Sequence, residues 1–339
     1  MREIIVGRNE EGQRMDKLLK KYLKEASPGF LYKMLRKKNI TLNHKKAEGK
    51  EILHSGDVIC IYFSEETLEK FMGKREANSV VEEKVNIDFV STEYEKAYKL
   101  LKHISLIYED EDIILLNKPR GILSQKTDKK DLSLNEWMIG YLLKNRQISF
   151  EQLQTFRPSI CNRLDRNTSG LVICGKSLQG SREMNQWIKE RKIEKYYRCF
   201  LKGTLTQKMH LKDYIKKDES NNIVHISSVD KIGYFPIETK VTPLSYGKDL
   251  TYAEVQLITG KSHQIRAHLG SMGYPLLGDE KYGDHHWNEN FYKLGLPKGQ
   301  LLHAYRIIFP LSDNNHPLSG REFKAPEPFS FEKIKKECL

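Results

Sequence analysis

The stretch that most constrains the fold is "NRLDRNTSGLVICGKS", residues 162–177. A polar turn around Asp165 runs directly into the apolar residues 171–174. Four consecutive apolar residues between polar flanks predict a buried strand, and a buried strand needs further strands or helices to cover it. The carboxylate before the strand raises the question of whether this turn carries chemistry.

The same stretch fits the phosphate-loop pattern G-x-x-x-x-G-K-[ST], as Gly170, Gly175, Lys176 and Ser177. A phosphate loop needs a strand before its first glycine and flexible residues between the glycines. Here the order is reversed, because the strand lies between the glycines. The sequence therefore predicts a strand-to-helix turn after Gly175 and argues against a nucleotide triphosphatase.

Asp165 lies between two guanidinium groups, Arg163 and Arg166. One interpretation is a turn carboxylate that bonds its own backbone or pairs with an arginine at the surface. The other is a carboxylate kept ionised by its cationic neighbours and able to act as a nucleophile. These residues alone leave both interpretations open.

A second informative block is "TGKSHQIRAHLGSMGYPLLGDEKYG", residues 259–283. A helix is predicted to begin near Ser262, which puts Lys261 and Arg266 around its N-terminus. The helix dipole disfavours cations there, so a nearby anion would offset the cost. Asp165 and an RNA phosphate are the two candidates.

Metal and disulfide chemistry are not expected. His263 and His268 are five residues apart, a poor spacing for two ligands on one helical face, and are interpreted as structural or RNA-contacting. The five cysteines form no C-x-x-C pair and leave an odd thiol, which argues against a zinc site or a disulfide framework and favours a reducing setting.

The charge is concentrated near the start of the chain. Lys and Arg number 57 and Asp and Glu 45, giving a formal net charge of +12 over 339 residues. Residues 14–50 alone contain 12 Lys and Arg against three Asp and Glu, a net charge of +9. An excess of this kind is typical of proteins with a polyanionic partner.

Two helices are predicted in this basic segment, over Arg14–Lys24 and Phe30–Lys38, separated at Pro28-Gly29. The second helix has an apolar stripe and carries its cations largely outside that stripe. The cations could form a solvated face, but their place in a compact unit favours RNA binding. They are Lys33, Arg36 and Lys37.

From Ile104 onward, strands and helices alternate irregularly, which predicts an α+β fold with a mixed, largely antiparallel sheet and flanking helices. In "LTYAEVQLITG", residues 250–260, Ala253, Val255 and Leu257 share one face of a strand. Ile265, Leu269 and Met272 are predicted on the inner side of the following helix.

The second unit resembles the RluA-type pseudouridine synthases. "NRLDRNTSGLVICGKS" is similar to the family signature R-L-D-x-x-T-S-G-L. Other blocks follow in family order. These are "NKPRGIL" (117–123), "IEKYYRCFLKG" (193–203), "TGKSHQIRAHL" (259–269), "GDEKYG" (278–283), "LLHAYRIIFPL" (301–311) and "FKAP" (323–326).

The basic first unit resembles the alpha-L RNA-binding module of the ribosomal protein S-four type. The resemblance implies four segments. They are an RNA-binding domain (1–64), a linker (65–103), a pseudouridine synthase domain with a central catalytic cleft (104–330) and a C-terminal tail (331–339).

The resemblance implies isomerisation of uridine to pseudouridine in structured RNA. Asp165 would be the catalytic carboxylate, adding to the base or assisting at the sugar. Arg266 would pair with Asp165, and Tyr197 would pack on the uracil and help proton transfer from C5. The residues expected to contact RNA are Arg163, Arg166, Lys118, Lys261, His263, Lys33, Arg36 and Lys37.

Two positions depart from the family pattern. Asn162 replaces the usual histidine and cannot carry a charge, so it is given no role in proton transfer. Lys261 replaces an arginine, which keeps the charge but loses the bidentate fork. We expect RNA affinity to change at this position and the chemistry to survive.

The remaining expectations concern partners. We expect no cofactor, no metal, a monomer, no membrane segment and a cytoplasmic location. Large-subunit ribosomal RNA is the favoured substrate, with transfer RNA as the alternative. The alternatives are an RNA-binding or ribosome-assembly protein whose synthase site is silent, and the less favoured nucleotide triphosphatase.

Overall fold

The computed structural model describes residues 1–73, 93–150, 152–312 and 316–339. Near the N-terminus, four short strands form an antiparallel sheet in the order β1-β4-β2-β3, with three helices packed around a core of their own. The strands are β1 (Arg2–Ile5), β2 (Ile40–Leu42), β3 (Lys45–Lys46) and β4 (Val58–Ile61). The helices are α1 (Met15–Tyr22), α2 (Pro28–Arg36) and α3 (Glu65–Met72).

The Ser-Pro-Gly sequence at residues 27–29 starts the second helix, whereas α1 has already ended at Tyr22. Ser27 caps α2 by accepting a hydrogen bond from the amide of Phe30 at 3.2 Å, and Pro28 occupies the first turn, where its missing N–H costs nothing. Helix α1 is shorter than predicted, whereas α2 has the predicted length but begins and ends two residues earlier. The predicted cations of α2 and its C-cap are all exposed, namely Lys33, Arg36 and Lys37.

A second, larger sheet dominates the rest of the described chain. Its strands follow the order β11-β10-β12-β13-β9-β14-β8-β6-β5, with β7 beside β8 and β15 beside β14. The early strands are β5 (Ser105–Glu109), β6 (Ile113–Lys118), β7 (Ser159–Ile160), β8 (Ser169–Gly175) and β9 (Glu194–Lys202). The later ones are β10 (Met209–Asp218), β11 (Ile223–Ser227), β12 (Phe235–Tyr246), β13 (Leu250–Leu257), β14 (Leu302–Ile308) and β15 (Glu322–Lys324).

The pairing of this sheet confirms the predicted mixed, largely antiparallel α+β fold. Among the described strands only the β8–β14 pair is parallel. Strand β8 is buried on both faces, because Val172 and Cys174 point into one core cluster and Leu171 and Ile173 into another. This two-sided burial explains the uninterrupted apolar run, and it confirms that the glycines of the phosphate-loop pattern flank a strand.

Gly170 has a structural reason of its own. Its φ is +108°, and a β-carbon at this position would lie 2.2 Å from the carbonyl oxygen of Ala304. The close approach of β14 to β8 thus requires glycine here. After β8, Ser177 caps the next helix by accepting from the amide of Gly180 at 2.9 Å, which is the predicted strand-to-helix turn.

Helices cover both faces of the large sheet. They are α4 (93–100), α5 (Leu134–Lys144), α6 (Gln152–Thr155), α7 (Leu178–Lys189), α8 (Gln264–Ser271), α9 (His285–Tyr292) and α10 (Phe329–Cys338). None of the helices in the described ranges is long and apolar enough to cross a membrane.

Three local expectations differ from the structure. Residues 331–339 are not a loose tail, because Phe331 and Ile334 of α10 are buried against the sheet. The core of the second unit begins before residue 104, since α4 buries Tyr94 and Ala97 in it. Met272 is 44% exposed, because α8 ends at Ser271. The predicted inner face of β13 is correct.

Candidate active site

The turn that carries Asp165 is fixed from both sides. The hydroxyl of Ser124 donates to the carbonyl of Leu164 at 2.7 Å and accepts from its amide at 3.0 Å. The ammonium of Lys118 donates to the carbonyl of Arg166 at 3.1 Å. The backbone on either side of Asp165 is therefore held by neighbouring elements, which positions the carboxylate before any ligand arrives.

Lys118 does not reach the surface. Its side chain is fully buried, and its ammonium also donates to the carbonyls of Pro119 and Ile122 at 3.0 and 2.8 Å. Burial lowers the pKa of Lys118 to about 7, although the charge of Asp165 opposes this. The prediction that Lys118 contacts RNA is wrong, because an ammonium enclosed by three carbonyls cannot meet a phosphate.

Arg266 is the hub of the site. It projects from α8, and its Nη1 donates to Oδ2 of Asp165 at 2.7 Å. Its Nε and Nη2 donate to the two carboxylate oxygens of Asp279 at 2.7 and 2.9 Å. Burial alone would lower the pKa of Arg266, but the hydrogen bonds and charges of the two aspartates raise it above its ordinary value. The guanidinium is thus permanently charged between two carboxylates.

Asp279 is the residue to which sequence reasoning gave no role. It is completely buried, and its Oδ1 also accepts from the amides of Lys281 and Tyr282 at 2.9 and 3.1 Å. Burial pushes its pKa up, but the hydrogen bonds and charge of Arg266 outweigh this and lower the pKa. The sequence feature that could have indicated its role is its position directly after the glycine of the matched "GDEKYG" block.

Only one oxygen of Asp165 is engaged. Oδ2 binds Arg266, whereas Oδ1 has no hydrogen-bond partner among the described residues, and 30% of the side chain is exposed. A carboxylate with one oxygen held by a guanidinium and the other without a protein partner is suited to attack an electrophile or to accept a proton.

Tyr197 lies next to this carboxylate. It projects from β9 into the core, and only 7% of it is exposed. Burial, and then the negative charge of Asp165, raise the pKa of Tyr197 well above its ordinary value. Its hydroxyl makes no hydrogen bond within the described part of the chain. The ring thus presents an apolar face and a neutral, unengaged hydroxyl near the carboxylate.

His263 forms a second layer beside Arg266. It adopts a left-handed backbone with φ of +52° at the start of α8, and its Nδ1 is 3.0 Å from the hydroxyl of Tyr282. Burial lowers the pKa of His263, and the charge of Asp165 partly opposes this. The hydroxyl of Tyr282 also accepts from the amide of Val224, so this layer connects α8 to β11.

The other predicted RNA contacts lie at the surface. Arg163 and Arg166 are exposed on either side of Asp165. Lys261 is exposed, and its ammonium lies 4.5 Å from the ring centre of Phe235. The amide oxygen of Asn162 accepts from the backbone of Ile173 at 2.7 Å, so this departure from the family pattern serves strand pairing.

The structure therefore brings together Asp165, Tyr197 and Arg266 from three distant segments. His263 lies close enough to be affected by the charges of Asp165 and Arg266, and Arg163 and Arg166 flank Asp165 in the sequence. The cations of α2 belong to the N-terminal unit. No cluster of three or more potential metal-binding side chains occurs within the described ranges.

Sequence comparisons point to one family. The sequence model of the RNA pseudouridylate synthase family matches residues 112–271. The chain is 31% identical to an uncharacterized RNA pseudouridine synthase of Mycoplasma genitalium, across 91% of this chain and 89% of the relative. It is 27% identical to a ribosomal large subunit pseudouridine synthase C of Pasteurella multocida, across 96% and 89% respectively.

The fold has solved counterparts. A human protein named RNA pseudouridylate synthase domain containing 4 aligns with 73% of this chain and 98% of its own, with a TM-score of 0.55 and 20% identity. A second human protein, named RNA pseudouridylate synthase domain containing 1, aligns with 68% of this chain with a TM-score of 0.52. These likenesses concern the fold.

Proposed function

We propose that this chain, which belongs to the family of RNA pseudouridine synthases, modifies large-subunit ribosomal RNA. In this proposal Asp165 is the catalytic carboxylate. Membership of the family makes the chain an isomerase that converts uridine in RNA to pseudouridine. The choice of RNA and the roles of individual residues are our proposal.

The reaction leaves the atomic composition of the nucleotide unchanged. The bond between N1 of uracil and C1′ of ribose breaks, the base turns, and C5 bonds to C1′. The proton on C5 is released, and N1 gains a proton, so no oxidant or reductant is needed. A target base inside a stack must first leave it, at a cost of a few kcal/mol.

The free oxygen of Asp165 carries this proposal. Arg266 holds Oδ2 at 2.7 Å, whereas Oδ1 has no hydrogen-bond partner among the described residues and 30% of the side chain is exposed. A preorganised carboxylate needs no rearrangement before it reacts, and this lowers the barrier. Asp279 supports the arrangement by fixing the other side of the guanidinium.

Tyr197 and the surface arginines have complementary roles. The ring of Tyr197 packs against the uracil, and its neutral hydroxyl can move the proton from C5. Arg163 and Arg166, exposed beside Asp165, stabilise the flipped nucleotide through phosphate or base contacts.

The N-terminal unit serves as an RNA-binding module in this proposal. Its net charge of +9 over residues 14–50 and the exposed cations of α2 support this role. Residues 1–64 form most of the module, and α3 completes it by burying Leu68 in the same core. The catalytic fold comprises residues 104–330 together with α4 and α10, which pack against them. We further propose a cytoplasmic monomer, acting where ribosomal RNA is assembled.

Tritium release tests the activity directly. RNA transcribed with uridine labelled at C5 should release tritium into water when mixed with this protein. Mapping pseudouridine in total RNA from a strain that lacks the gene should then show unmodified sites in large-subunit ribosomal RNA. If unmodified sites appeared in transfer RNA alone, the substrate would be transfer RNA and not large-subunit ribosomal RNA.

A silent RNA-binding protein is the competing function. The contact between Arg266 and Asp165 argues against it, because a binding protein has no need for an ionised carboxylate that faces a polyanion. Binding of large-subunit RNA without any tritium release would support the silent alternative.

A further inference from the structure

The N-terminal unit and the catalytic unit are in direct contact, and cationic side chains lie beside this contact. Arg8 binds Glu111 and Asp112 at 2.5 and 2.8 Å, and Glu10 accepts from the hydroxyl of Thr155 at 2.5 Å. These contacts bring α1 of the N-terminal unit next to α6 and α7 of the catalytic unit.

A groove of about 840 Å³ lies at this junction. One face of α7 forms one wall, and residues 153–159 and the end of α1 form the others. The groove is lined by Lys21, Lys24, Leu153, Gln154, Thr155, Phe156, Arg157, Ser159, Leu178, Ser181, Arg182 and Asn185.

The lining of the groove is cationic. It contains Lys21, Lys24, Arg157 and Arg182 and no acidic side chain. None of these four cations forms an ion pair with a carboxylate among the described residues. Partial burial, and then the charge of Arg182, lower the pKa of Lys21, although the charge of Glu10 partly opposes this. The like charges thus act on one another, and a polyanion in the groove would relieve this repulsion.

We propose that this groove binds phosphate groups of the RNA substrate, at a site separate from the catalytic cleft. The proposal rests on the proposed function for RNA as the polyanion. Asp165 precedes the first residue of β8, whereas the groove adjoins Leu178, just beyond its last residue. The first and last of the seven residues of β8 lie about 20 Å apart. An RNA that occupies both sites is therefore larger than the target loop alone.

The groove also couples the two units. Lys21 and Lys24 come from the N-terminal unit, and Arg157 and Arg182 come from the catalytic unit. A phosphate backbone lying between them attracts both walls, so RNA binding favours the docked arrangement. RNA affinity should consequently depend on cations of both units together.

The test compares two pairs of charge reversals in the full chain. The groove variant is Lys24→Glu with Arg182→Glu, and both residues are exposed, which limits any effect on folding. The matched control is Lys20→Glu in α1 with Lys189→Glu in α7, two exposed lysines from the same parts of the two units but outside the lining. The probe is labelled large-subunit ribosomal RNA transcribed in vitro, and its affinity is measured over a series of salt concentrations.

The groove variant should bind this RNA at least about tenfold more weakly than the control. Its log–log salt slope should fall by roughly 0.7–0.9 for each phosphate that the variant no longer binds. Equal affinities and slopes for the two variants would overturn the proposal. If the groove variant melts early, Lys24→Gln with Arg182→Gln replaces it, with Lys20→Gln and Lys189→Gln as its control.

This measurement separates the two proposals. A weakened groove variant together with a wild-type protein that releases no tritium would retain the groove and reject the proposed function. Normal tritium release by the wild-type protein, with equal RNA binding by the groove and control variants, would retain the proposed function and reject the groove.

Discussion

Arg266 and Asp279 form a two-point ion pair inside the protein, with Nε–Oδ2 and Nη2–Oδ1 distances of 2.7 and 2.9 Å. The remaining nitrogen of the same guanidinium reaches Asp165. Asp279 therefore sets the direction in which Arg266 presents its charge, although it lies too deep to touch a substrate.

The Asp279→Asn variant should lose both stability and activity. Removing the charge of Asp279 leaves the buried guanidinium of Arg266 with Asp165 as its remaining counter-ion, at a cost on the order of 3 kcal/mol. Arg266 should also shift, lowering kcat while the RNA affinity stays near wild type. Thermal unfolding and tritium release measure these effects. Glu280→Gln, the exposed neighbour, is the control, and equal behaviour of the two variants would contradict a supporting role.

The Asp165→Asn variant tests the catalytic claim. It keeps the size of the side chain but removes the anionic oxygen, so pseudouridine formation should fall at least about a thousandfold, on the order of 4 kcal/mol in the barrier. RNA affinity and melting temperature should remain close to wild type. A turn-forming role predicts instead a stability loss of about 1 kcal/mol with activity nearly kept. Deamidation back to aspartate must be excluded by mass spectrometry.

Tyr197→Phe separates the ring from its hydroxyl. The hydroxyl has no hydrogen-bond partner among the described residues, so its removal should leave the melting temperature nearly unchanged. If it moves the C5 proton, kcat should fall roughly a hundredfold while the RNA affinity is retained. Tyr196→Phe changes the adjacent residue, whose hydroxyl binds Glu194, and should remain active. If Tyr197→Phe kept the kcat of the wild-type protein, the hydroxyl of Tyr197 would have no role in proton transfer.

Lys118→Met tests the structural role assigned to this lysine. The change leaves three buried carbonyls without their donor and should cost at least about 2 kcal/mol of unfolding free energy. The salt dependence of RNA binding should not change, because the ammonium never meets a phosphate. Lys129→Met, at an exposed position, should leave stability unaltered. If Lys118→Met had normal stability but a smaller salt dependence of RNA binding, Lys118 would contact RNA after all.

The cations of α2 provide the test of the N-terminal unit. Replacing Lys33, Arg36 and Lys37 together by glutamate should weaken binding of large-subunit RNA and lower the log–log salt slope by about 2, if each residue meets one phosphate. The control carries the same charge change on exposed lysines of the catalytic unit, at Lys144, Lys189 and Lys248. Identical slopes for both triple variants would mean that α2 presents a merely solvated face.

Local patterns determined a large part of this protein. The apolar run before Gly175 encodes a strand buried on both faces, and the glycines and serines around it encode its turns. The alternation in residues 250–257 encodes the buried face of β13. Such patterns depend on neighbouring residues and on burial, so one sequence suffices to read them. The order of the matched blocks likewise indicated the family.

The contacts between distant segments were decided only by the tertiary structure. Asp165 and Arg266 are 101 positions apart, and they meet because the strand order brings the start of β8 close to α8. Asp279 joins them because the chain after α8 folds back under the guanidinium. Lys118 is the last residue of the buried strand β6, and its cationic side chain did not indicate that three carbonyls would enclose it. Spacing along the chain cannot specify such contacts, because they arise when strands pair and helices pack.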